Sequence, residues 1–102
     1  MWFVEFQKLV EASAQQFNGQ VNAFEYYKPI KIVSAESQIV AGTRWKLVVQ
    51  FQATSCNKHQ ENVDLKNCAV NPNGTKLNVE MTIWEKPWEN FVQYTFGKSR
   101  IP

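Results

Sequence analysis

Histidine is almost absent: His59 is the only one among 102 residues. A hydrolase built on a Ser-His-Asp or Cys-His pair would have to use it. It sits in the polar run Cys56-Asn57-Lys58-His59-Gln60-Glu61-Asn62, which reads as an exposed loop. A solvated loop histidine is the plainer reading, so the usual parts of an enzyme are missing. Zinc fares no better. Cys56, His59 and Cys68 would need a fourth ligand such as Asp64, and Cys-x2-His-x8-Cys matches no common zinc framework. Neither metal nor cofactor is expected. An excess of one charge is also lacking: eleven Lys plus Arg against nine Asp plus Glu leave +2, too mild to argue for a nucleic-acid partner. No apolar run approaches the roughly 20 residues of a membrane span, so no membrane partner is expected. Glycine and proline number four apiece, which excludes collagen-like and low-complexity chains.

Present instead are 44% hydrophobic and 14% aromatic residues, enough for the core of one domain spanning residues 1–102. The two cysteines lie twelve positions apart with a polar segment between them, so a disulfide Cys56–Cys68 is the natural hypothesis, with two reduced thiols as its alternative. Asn73-Gly74-Thr75 is an N-glycosylation acceptor tripeptide in the turn-like stretch Val70–Gly74. Met1-Trp2-Phe3-Val4, broken by Glu5 and without a basic lead-in, does not read as a signal peptide. The chain is read as the mature part of a secreted protein.

Phe3, Phe6, Val10, Ala14, Phe17 and Val21 recur in steps of three and four, the stripe of an amphipathic helix, and Asn18-Gly19 reads as its stop. The period then changes to two. Lys28–Ser34 alternates at Ile30 and Ile32. Arg44–Gln52 puts Trp45, Leu47, Val49 and Phe51 on one face, and Lys76–Trp84 does the same with Leu77, Val79, Met81 and Ile83. Asn90–Gly97 reads as a last strand. One helix followed by strands without intervening helices predicts an α+β fold: a long N-terminal helix packed on a curved antiparallel sheet of four to five strands.

Two turns do not look like surface loops. Ser37–Thr43 carries Ile39, Val40 and Ala41 where a solvent hairpin favours Asn, Asp or Ser, and Glu85–Asn90 carries Trp88 after Pro87. In an up-and-down sheet both fall at the same end. Gln38-Ile39-Val40-Ala41-Gly42 resembles the Gln-x-Val-x-Gly hairpin of the cystatins, and Pro87-Trp88 their second hairpin. The order of helix, hairpin, cysteine loop and Pro-Trp covers nearly the whole chain. Val63–Cys68 and Trp84–Phe91 further resemble secreted nematode-type members.

That resemblance implies reversible, competitive inhibition of papain-like cysteine proteases of the cathepsin L, S and B type. Gln38, Ile39, Val40, Ala41, Gly42, Pro87 and Trp88 would fill the active-site cleft, with no catalytic residue in the inhibitor itself. Cys56–Cys68 matches the first of the two disulfides usual in secreted members. The family's N-terminal trunk, with its Gly, has only a short Gly-less substitute in Met1–Val4. The trunk has either been cut away or was never there, and reduced affinity is expected. In some cystatins an Asn after the helix inhibits legumain-type proteases. Asn22 falls at the matching distance from Asn18 but is flanked by Val21 and Ala23, so a loop-capping Asn competes with a second site. Two other function classes remain: a cystatin-fold binding module without inhibition, and a small enzyme with a helix-on-sheet cavity. A monomer is expected, with a domain-swapped dimer through the Gln38–Gly42 hairpin as the oligomeric alternative.

Overall fold

The stripe starting at Phe3 forms helix α1, Trp2–Gln20, in the computed structural model, which describes residues 2–102 and side chains from Phe6 onward. Phe6, Val10, Ala14 and Phe17 are buried, as the 3.6-residue period requires, while the Phe3 side chain and the expected trunk substitute Met1–Val4 lie outside the described side chains. Four strands follow: β1 Glu25–Val40, β2 Gly42–Asn57, β3 Lys76–Lys86 and β4 Phe91–Arg100. They form one antiparallel sheet in the order β1-β2-β3-β4, four being the lower of the two expected counts. The inward faces of β2 and β3 are those the alternation predicts. Trp45, Leu47, Val49, Phe51, Val79, Met81 and Ile83 are buried, and Leu77 is half-buried. Phe17 sits at the centre of this core, its ring 4.6 Å from Phe51 and 5.9 Å from Phe96. Large aromatics therefore carry much of the helix-to-sheet contact.

Two local expectations need correction. The predicted helix stop at Asn18-Gly19 is passed, and α1 continues to Gln20 with Gly19 helical. Asn18 is buried and does different work. Its amide donates to the Ala14 carbonyl (2.9 Å) and the Tyr27 carbonyl (2.8 Å), and its oxygen accepts the Tyr27 N–H (2.7 Å). The other correction concerns β1. Ile30 and Ile32 alternate in sequence, yet every residue from Ile30 to Val40 is exposed. Register shifts between Pro29 and Lys31 and between Ile32 and Ser34 interrupt the pleat there. Bulges of this kind are one way an edge strand is kept from pairing further.

Across the sheet, the Tyr94 hydroxyl donates to the Leu9 carbonyl (3.0 Å) and ties β4 to α1. Burial first, and the charge of Glu85 second, push the Tyr94 phenol above its ordinary value, so it remains a protonated donor.

Candidate functional site

Thr43 pairs with Glu85 and Arg44 with Trp84, and this register places the β1–β2 and β3–β4 hairpins side by side at one end of the sheet. The first hairpin is tighter than the sequence indicates. Strand pairing persists to Val40 and Gly42, leaving Ala41 alone at the bend. Gly42 has φ +94°, a backbone state that side chains strain. A Cβ there would run into the Glu85 carbonyl oxygen and stand 2.8 Å from Lys86 Cγ. The second hairpin turns through a 3-10 segment, Pro87–Glu89, with proline in its first turn. Asn90 closes it in the left-handed conformation (φ 51°, ψ 38°), and its N–H donates to the Pro87 carbonyl at 3.1 Å.

Every sequence-predicted contact residue of this end is at the surface apart from the half-buried Gly42. Gln38 and Ala41 are exposed, Ile39 is 91% and Val40 44% accessible, and Pro87 is exposed beside Trp88 at 66%. Ile39, Val40 and Trp88 are thus open apolar groups gathered at one end of the sheet.

Five neighbours were not anticipated as part of the site. Trp84 Nε1 donates to the Ala41 carbonyl at 2.9 Å, a bond between the second hairpin's strand and the first hairpin's tip. The Arg44 guanidinium lies 5.2 Å from the Trp84 ring centroid, and the Lys86 ammonium lies 4.6 Å from Trp84 and 4.5 Å from Phe91. Phe91 meets Trp84 edge-on at 5.4 Å. Glu89 accepts the Trp88 indole N–H at 3.1 Å and pairs with Lys86 at 3.7 Å. One signal was available in the sequence: Trp84 is a large aromatic on the otherwise polar phase of the β3 alternation.

The opposite end of the sheet holds the remaining candidates. Asn22 is exposed in the loop between α1 and β1. Lys58 braces that loop on both sides: its ammonium donates to the Val21 carbonyl and its backbone N–H to the Phe24 carbonyl, both at 2.9 Å. The Phe24 ring packs 5.1 Å from His59. Cys56 and Cys68 form the disulfide, with Cα atoms 5.7 Å apart, which takes both sulfurs out of metal chemistry. Among the described residues there is no group of three or more His, Cys, Asp or Glu able to hold a metal. Asn73 is exposed in its turn, where its N–H donates to the Asn71 side-chain oxygen at 3.1 Å.

Residues 4–99 match the family model of the Cystatin domain. The chain belongs to the cystatin family. It is 32% identical to Cystatin cpi-2 of Brugia malayi over 95% of its own length and 61% of that relative. It is 34% identical to Onchocystatin of Onchocerca volvulus over 87% of its length and 56% of that relative. The cystatin chain described here thus spans about three-fifths of the length of these curated relatives. Its fold is similar to the crystal structure of Al-CPI, with a TM-score of 0.83 and 35% identity over 96% of this chain and 90% of that one. Cystatins as a family are cysteine protease inhibitors and not enzymes, which agrees with the scarcity of catalytic parts in this cystatin's sequence.

Proposed function

We propose that this cystatin is a reversible, competitive inhibitor of papain-like cysteine proteases of the cathepsin type, acting through its two-hairpin end. One observation carries the reading: Ile39, Val40, Ala41 and Trp88 stand exposed side by side on hairpins that the Trp84–Ala41 bond joins. The tips offer apolar surface with little charge to desolvate, and a protruding Trp is a common hot spot once buried by a partner. The hairpins hang from a hydrogen-bonded sheet, so binding orders few new groups. Gln38 flanks the tip, Gly42 permits the turn, and Pro87 fixes the approach of Trp88. The disulfide and the Asn73 acceptor at the far end support a secreted protein, with any glycan well away from the hairpins.

A second, legumain-type inhibitory site at Asn22 is favoured by the Lys58 brace. It holds an exposed Asn between two fixed carbonyls, the presentation that a protease cleaving after Asn would need. One titration series tests both readings, with papain, a cathepsin L-type enzyme and a legumain-type enzyme against the wild type, Trp88→Ala and Asn22→Gln. Trp88→Ala raises Ki for the papain-like enzymes by on the order of 100-fold, as loss of a hot-spot Trp does. Asn22→Gln leaves those values unchanged and abolishes legumain inhibition. A folded wild type that fails to inhibit papain at micromolar concentration would leave the binding-module alternative in its place.

A further inference from the structure

We infer that Lys86 is a positioning residue that holds Trp88 in its exposed orientation and locks it to the first hairpin. Trp88 is 66% accessible, and a side chain so open would ordinarily sample several rotamers. Its indole N–H is instead held by Glu89, whose other carboxylate oxygen faces the Lys86 ammonium. Lys86 is itself restrained. Its side chain is only 19% accessible, and its ammonium lies over the faces of both Trp84 and Phe91. Its Cγ is among the atoms nearest to the position a Gly42 Cβ would take, so its stem packs under the first hairpin's turn. Trp84 then donates to the Ala41 carbonyl. The contacts run without a break from Ala41 through Trp84, Lys86 and Glu89 to Trp88.

A cation shared between two aromatic faces and a carboxylate is the only charged group in that path able to serve all three contacts. Methionine at this position would keep the length and the packing of the stem while removing the charge. Trp88 would then lose the fixed partner of its partner. Arginine would keep both, because a guanidinium stacks on aromatic faces and pairs with carboxylates. The value of Lys86 to affinity rests on the inhibitor reading above, whereas its hold on Trp88 is a property of the free protein.

The test uses Lys86→Met, Lys86→Arg, Trp88→Ala and the double variant Lys86→Met/Trp88→Ala. Papain inhibition and the indole N–H signals of the ¹⁵N-labelled free protein are both read. Lys86→Met is expected to raise Ki about tenfold, and Lys86→Arg to stay within about threefold of wild type. In the Trp88→Ala background, Lys86→Met changes Ki less than about twofold, since two residues acting through one contact are not additive. The Trp84 and Trp88 indole signals move in Lys86→Met while that of buried Trp45 stays. An unchanged Ki in Lys86→Met, or a full tenfold loss persisting without Trp88, overturns the inference. Should the wild type not inhibit at all, the inhibitor reading fails by itself. The indole signals then decide the position of Lys86: an unmoved Trp88 signal in Lys86→Met overturns it and a moved one upholds it.

Discussion

At φ +94°, Gly42 occupies backbone space that costs an L residue about 1–3 kcal/mol, and the strand beside it leaves no room for a Cβ. The two constraints have different origins. The angle follows from reversing the chain over the single bend residue Ala41, whereas the closeness of the Glu85 carbonyl follows from the pairing of Thr43 with Glu85. Gly42→Ala therefore strains the turn and also pushes the end of β3, with Lys86 on it, away from the first hairpin. The expected outcome is a urea midpoint lowered by a stability loss of about 1–3 kcal/mol, together with a papain Ki raised more than about tenfold. Retention of both properties would mean that β3 gives way at little cost. Ile39, nearly wholly exposed, carries no such double constraint, and its value lies in contact alone.

Among the elements, the junction of α1 and β1 depends on one side chain. Asn18 meets both backbone groups of Tyr27 and one carbonyl of its own helix, all in a buried setting. Asn18→Ala leaves the Tyr27 N–H and carbonyl without these partners in the interior, at a cost of about 2–3 kcal/mol for the pair. Urea unfolding measures this directly, and Asn18→Asp, which keeps the acceptor but sets a buried carboxylate oxygen against the Ala14 and Tyr27 carbonyls, should be at least as destabilising as Ala. In sequence, this Asn next to Gly reads as a helix terminator, because the bond to Tyr27 spans nine positions and needs the fold to bring it about. The stripe of α1 and the inward residues of β2 and β3 were legible because burial on one face imposes a period, 3.6 or 2, on the sequence. β1 was not, since an edge strand with three register shifts, exposed from Ile30 onward, imposes none. The hairpin tips were legible as misplaced apolar residues. Of their supports, Trp84 showed only as an aromatic on the polar phase of β3, and Lys86 and Glu89 left no sign, because their contacts arise from the register of β2, β3 and β4 and the close of the second turn.

Over the whole molecule, the two ends of the sheet are secured by different means. The hairpin end has no covalent link and relies on the Trp84–Ala41 bond and the cations stacked on Trp84 and Phe91. The far end has the disulfide, the Lys58 brace on the Asn22 loop, and the Lys28 ammonium donating to the Cys68 carbonyl at 3.2 Å. Between them lies a core in which no buried side-chain nitrogen or oxygen among the described residues lacks a partner, with aromatic contacts centred on Phe17. Folded domains open locally in separate units, so loosening at one end should remain there. Replacing Cys56 and Cys68 by Ser frees a loop whose closure contributes about 3 kcal/mol in the chain-entropy model. Denaturant unfolding should register that loss. At 25 °C, where the folded state still dominates, papain Ki should stay within about twofold of wild type, a change of under about 0.5 kcal/mol. The legumain inhibition proposed for Asn22 should weaken in the same variant, because Lys58 and Phe24 hold their loop against the segment that the disulfide closes. A large rise in papain Ki with the protein still folded would show instead that the sheet transmits the loss from end to end, and that the hairpins depend on a bond at the far end of β2.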